Sequence, residues 1–126
     1  MNDIGVIAIL FLGFRDQLKI YHWKTLSYSR HKASDKLIGN LTEMIDTFIE
    51  TMQGSRGERI QLGDIPLMIK EYDDKSIIDL LDEFKEWLSG EKGLVSYLKK
   101  TDTDLLNLRD EILAKINQTL YLFSLS

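Results

Sequence analysis

The 126-residue chain contains no cysteine, which excludes thiolate chemistry, disulfide staples, Cys-type zinc sites and iron–sulfur clusters. Any metal must therefore be held by oxygen and nitrogen. Histidine is nearly as scarce, with only His22 and His31, and both fall into the cluster described below, leaving no imidazole for a Ser–His–Asp triad. Glycine is present without a phosphate-binding loop, because Gly54-x-x-Gly57 has neither a following lysine nor a preceding strand. There is no long apolar run: Ile4 to Phe14 covers eleven residues, against the roughly 20 needed to cross a bilayer. Asp3 is the only charge before that run, and no small-residue cleavage site follows it, so a signal peptide is not expected. A cytoplasmic protein is.

The formal net charge is -4, divided unevenly. Residues 1 to 36 hold six Lys or Arg against three Asp, and the remainder holds ten against seventeen acids. The basic residues are scattered, so neither a nucleic-acid nor a membrane partner is expected. With 44% hydrophobic residues, a chain of this length can bury about two thirds of its unfolded surface in one core. Residues 1–126 are expected to form a single domain.

The apolar residues step by threes and fours. Ile4, Ile7, Phe11, Phe14, Leu18 and Tyr21 form one helical stripe reaching about Thr25. After a short loop, with Ser29 as the expected cap, a second helix is predicted from about Arg30 to Gln53. It carries Leu37, Leu41, Met44, Ile45, Phe48 and Met52 on one side and stops at Gly54. The stretch to Tyr72 is expected to be irregular, with a turn or extended piece after Pro66. A third helix is predicted over about Lys75 to Ser89, broken or kinked near Gly90 and Gly93 on its way towards Lys100. Phe84 and Trp87, at helical spacing, are read as core or interface residues and not as a stacking platform. Thr101 and Asp104 have capping-box spacing and open a fourth helix with Leu105, Leu108, Ile112, Ile116, Thr119 and Phe123 inward. No strand pattern or repeat competes, and an all-α, antiparallel four-helix bundle is the expected architecture.

The second helix concentrates the chemistry. His31 and Asp35 are four apart, as are Asp46 and Glu50, and residues so spaced are neighbours on one helix face. With Asp35 at zero on the helical wheel, the four fall within about 100° of arc, well over 100° from the apolar stripe. They face away from their own core. The two pairs are also separated by about 16 Å along the axis, too far for one mononuclear or dinuclear centre. A second, antiparallel copy of the helix would set His31 and Asp35 of one chain opposite Asp46 and Glu50 of the other, giving two identical sites in an isologous dimer. Gly39 and Thr42 lie midway and are small, and Ile38 and Ile49 are expected to flank them as apolar contacts. His22 is close enough in sequence to add a nitrogen ligand. Imidazole with several carboxylates suits iron, manganese or zinc. The bundle-interior di-iron signature, Glu-x-x-His on two helices, is absent. The competing reading is a solvated acidic helix face on a non-catalytic helical assembly protein, with a lapsed or structural metal site.

The order Tyr21-His22-Trp23, then His31, Asp35, Asp46 and Glu50, then Asp104-Leu105-Leu106 and a C-terminal helix, resembles the Dps-type miniferritins of the ferritin-like superfamily, over most of the chain. That resemblance implies an oxidative-stress role, with iron binding and ferroxidase chemistry: Fe(II) oxidised by hydrogen peroxide or oxygen at a dinuclear or mononuclear site between twofold-related subunits. It implies His22, His31, Asp35, Asp46 and Glu50 as metal ligands and Trp23 as an electron donor beside them. It further implies a shell-like homo-oligomer storing ferric mineral, at least a twofold dimer and at most a cage. The family's DNA binding is not expected, because no lysine-rich tail precedes the first helix. Compact proteins with this pattern also occur in phages and large DNA viruses, for which the location would be the host cytoplasm.

Overall fold

The computed structural model describes all 126 residues, in four α-helices and one 3-10 turn with no strand. Helix α1 (Asp3–Lys24) starts at Asn2, whose side-chain oxygen accepts from the Gly5 amide at 2.9 Å and satisfies a donor that every helix start leaves open. Helix α2 (Tyr28–Arg56) starts two residues earlier than expected, because Ser27 rather than Ser29 is its cap, accepting from the Arg30 amide at 3.3 Å. The turn between the two helices is thus only Thr25 to Ser27. Helix α2 also ends later than expected. It runs through Gly54, and Gly57, with φ 61°, supplies the left-handed residue that stops it.

Helix α3 (Ile77–Ser89) follows a turn in which the Asp73 carboxylate accepts from the Lys75 and Ser76 amides at 3.0 and 2.7 Å. Its continuation towards Lys100 does not form. Past Gly90, Gly93 lies directly against the Trp87 carbonyl, where no larger residue fits, and Leu94–Tyr97 make the 3-10 turn. Helix α4 (Thr103–Ser124) opens at Asp102 without a side-chain cap, so the expected capping box of Thr101 and Asp104 is not made. The Asp102 carboxylate is engaged elsewhere: Arg56, at the end of α2, grips it with two bonds of 2.8 and 2.9 Å, and the Lys99 amide adds a third at 2.7 Å.

Helix α2 packs on α1 and α4, and α3 on α4 and α1, so the four helices surround one core. Phe11 lies at its centre, edge-on to Phe48, Phe84 and Trp87 at 5.3, 6.1 and 5.1 Å between ring centroids. Phe84 therefore sits in the core and Trp87, half-buried, packs against it. Ile38 and Ile49 overturn an expectation, since Ile38 is buried within this chain's own core and Ile49 packs against it. Ile38 is not an outward apolar flank, and Ile49 is half-buried. The reason is that α1 and α4 press on α2 from two sides, widening its buried arc beyond the Leu37–Met52 stripe.

Between α2 and α3, the chain from Glu58 to Tyr72 has neither helix nor strand and lies as a strap on α1. Side chains of α1 and its cap take up part of the strap's backbone bonding. Asn2 donates to Glu58 and to the Arg59 carbonyl at 2.7 and 2.9 Å, and Gln17 accepts from the Lys70 amide at 2.9 Å. At Gly5 the Gln61 carbonyl sits too close for any side chain. No helix is long and apolar enough to cross a membrane.

Candidate metal centre

His22 occupies the last turn of α1 and His31 the first turns of α2, so the three-residue turn folds one imidazole over the other. The rings stack with centroids 4.0 Å apart and planes inclined by 16°. Their hydrogen bonds are reciprocal: Nδ1 of His22 lies 2.9 Å from the His31 carbonyl, and Nδ1 of His31 lies 3.0 Å from the His22 carbonyl. A carbonyl can only accept, so both Nδ1 atoms carry hydrogen and donate. Both Nε2 atoms are thereby left to act as ligands, in the carbonyl-oriented arrangement that metal-binding histidines commonly adopt. Nε2 of His22 stands 3.8 Å from Oδ1 of Asp35. His22 is 6% exposed, whereas the Asp35 side chain is 61% exposed. A buried nitrogen beside an open carboxylate results.

Arg30 fixes this corner from beneath. Its guanidinium donates to the Asp74 carbonyl and, at 2.8 Å, to Oγ of Ser126, and it lies over the Phe123 ring at 4.9 Å. The Asp74 carboxylate in turn accepts from Thr25 at 2.6 Å and Tyr21 at 2.7 Å. Those two bonds, helped by the charge of Arg30, hold the Asp74 carboxyl below the usual carboxylate range, while burial pushes the Tyr21 hydroxyl up. The end of α1, the start of α2, the approach to α3 and the end of α4 are tied at one point.

The other predicted ligands are elsewhere. Asp46 and Glu50 lie on the exposed face of α2, one to two turns past its middle, and point to solvent. No group of three or more His, Asp or Glu side chains within one chain is placed to hold an ion. His22, His31 and Asp35 come together, and Asp46 and Glu50 do not join them. Trp23 is 70% exposed, with the Lys19 ammonium 5.6 Å over its ring. The sequence reading missed Ser34, which is wholly buried at the same corner. The signal was available: a serine at a wheel position next to Ile38, where a solvated side chain has no place. It also missed the Arg30 cluster, whose partners come from distant parts of the chain and leave no local signal.

Two rings inclined by 16° and 4.0 Å apart keep their in-plane lone pairs in separate, nearly parallel planes, which share no point at a bond length of about 2.0–2.1 Å from both nitrogens. Each imidazole addresses its own position. Residues 22–123 match a family described as a family of unknown function (DUF5856), a match that opens at His22 and spans every ligand named above. The chain belongs to that family. Neither a curated protein nor a solved structure matches it.

Proposed function

We propose that the protein is a miniferritin of the Dps type, an antiparallel ferritin-like bundle that takes Fe(II) as substrate and oxidises it at a centre shared by two copies of the chain. The observation that carries this reading is the reciprocal lock of His22 and His31, which leaves both Nε2 atoms free, that of His22 at 3.8 Å from Asp35. In an antiparallel pairing of two α2 helices, Asp46 and Glu50 of the second copy complete each set of donors. Since each imidazole serves its own position, the centre is dinuclear. The reaction then balances: two Fe(II) give up one electron each, and hydrogen peroxide takes two electrons and two protons to leave as two waters, or oxygen takes the same two electrons and two protons to leave as hydrogen peroxide. Manganese or zinc could occupy the same donors. Trp23, next to His22 in the chain, is the candidate electron donor for a centre that holds a single Fe(II), where the second electron for the peroxide comes from the protein.

Three features of the exposed α2 face support the pairing. Gly39 is exposed at its middle, and nothing in its own chain comes within 4 Å of where a Cβ would be. The protomer has no use for that glycine, which costs a helix about 1 kcal/mol relative to alanine, whereas an approaching helix does. Charge is also complementary, because the register that sets His31 and Asp35 opposite Glu50 and Asp46 brings exposed Lys32 and Lys36 to the same carboxylates. Finally, Trp23, Leu26, Tyr28 and Leu125 are 70%, 98%, 75% and 66% exposed around the first half of α2, and these, not Ile38 and Ile49, are the apolar surface that a second copy would cover. The exposure of Asp46 and Glu50 is what favours the second reading, a helical assembly protein without iron chemistry.

Anaerobic Fe(II) titration followed by hydrogen peroxide separates the two. The ferroxidase reading expects saturation near two Fe(II) per site and a rapid rise in ferric absorbance that His31→Ala abolishes. Equal, slow oxidation in both proteins would reject it and leave the assembly reading.

A further inference from the structure

We infer that Ser34 is a positioning residue for His22, setting the direction and basicity of its metal-binding nitrogen without touching the ion; this rests on the metal-site reading above. Ser34 is 0% exposed, and serine is mostly found exposed. Its Oγ donates to the His31 carbonyl at 3.1 Å, and the same oxygen lies 3.1 Å from Nδ1 of His22. Because Nδ1 already carries the hydrogen it gives to that carbonyl at 2.9 Å, Ser34 is its second acceptor. The His22 N–H is shared between two oxygens that are themselves hydrogen-bonded, so the ring is held against both rotation and tilt. An N–H so engaged leaves Nε2 a stronger donor, and outer-sphere partners of this kind are typically worth 10- to 100-fold in metal affinity. His31 has no such second acceptor, and only its carbonyl bond of 3.0 Å orients it. The two imidazoles are therefore unequal, and the ion at His22 is bound first.

A purely local role for the hydroxyl is the alternative, since serine in a helix often bonds back to a carbonyl three or four residues earlier. Ser34→Ala distinguishes them and should fold, because alanine is smaller and the better helix former. Two measurements are made on it. In the metal-free protein, proton–nitrogen NMR follows the two imidazole Nδ1–H groups. The wild type should show the His22 group exchanging more slowly than that of His31, and Ser34→Ala should bring the His22 rate up to that of His31 while leaving His31 unchanged. With Co(II) as the probe, followed by its visible absorbance, the variant should bind about tenfold more weakly at the first site, with the second site and the unfolding midpoint little changed. An unchanged His22 signal, or Co(II) affinity within twofold of wild type, overturns the inference. If the wild type itself binds no Co(II) while both N–H groups are protected, the metal-site reading has failed, and the positioning role falls with it.

Discussion

The two halves of α2 are built on opposite principles. Its first turns are over-determined: His31 is locked to His22 through reciprocal carbonyl bonds, Ser34 is buried, and Arg30 reaches Asp74, Ser126 and Phe123. Its second half presents Glu43, Asp46 and Glu50 to solvent from a smooth helical face. Orientation has been invested in the nitrogen donors and not in the carboxylates. That difference is what a shared centre requires, because imidazoles need a fixed tautomer and ring direction, whereas carboxylates arriving from a second copy are oriented by the docking itself.

The largest effect should come from the metal donors, and it should be equal in both halves despite their contrast. His31→Ala and Asp46→Ala are each expected to slow Fe(II) oxidation by about 100-fold or more, measured by stopped-flow absorbance. Asp46→Ala should leave the fold within about 0.5 kcal/mol of wild type, as surface changes do. Stability should separate the halves clearly. Arg30→Ala is expected to cost about 1.5–3 kcal/mol per charge-assisted bond that is not replaced by water, read as a lower denaturant midpoint, against almost nothing for Glu50→Gln.

Acid should act through the same kind of anchor. Asp74, hydrogen-bonded by Thr25 and Tyr21, and Asp102, gripped by Arg56, both have carboxyls held below their ordinary range. The folded state therefore takes up these protons less readily than the unfolded one. The stabilisation is complete above the unfolded value of about 4 and fades as pH falls through the lower folded values. Asp102→Asn should flatten the acid limb of a stability–pH curve, and a curve unchanged by it would show that the Arg56 pairing contributes nothing net. The smallest expected effect is at the exposed face: Lys32→Glu with Lys36→Glu should weaken dimerisation by about 1 kcal/mol or less per pair, with stronger dependence on salt in the wild type than in the variant, measured by sedimentation.

Much of the fold was legible because helical spacing is a local signal. Phe11, Phe48 and Phe84 were assigned inward from periodicity, and they meet in the core. The errors fall where a distant residue decides. The capping box expected of Thr101 and Asp104 is not made, since the helix is preceded by Asp102, whose carboxylate Arg56, 46 residues away, claims, and Ile38 turns inward because α2 is pressed from two sides. In the site, the spacing of His31 and Asp35 revealed one face of one helix. It could not reveal that His22 and His31 exchange hydrogen bonds through their carbonyls, since that depends on the three-residue turn that Ser27, not Ser29, sets. Asp46 and Glu50 were grouped with them by the same spacing, and in the structure they stay exposed and apart from His31 and Asp35.

The central claim, that each centre takes its imidazoles from one copy and its distal carboxylates from another, is tested most directly by subunit complementation. His31→Ala and Asp46→Ala chains, each inactive alone, are refolded together and assayed for rapid Fe(II) oxidation. A mixed dimer regains one intact site and carries both defects in the other, so random pairing should restore about a quarter of the wild-type rate. A mixture as inactive as its two components would contradict the shared centre.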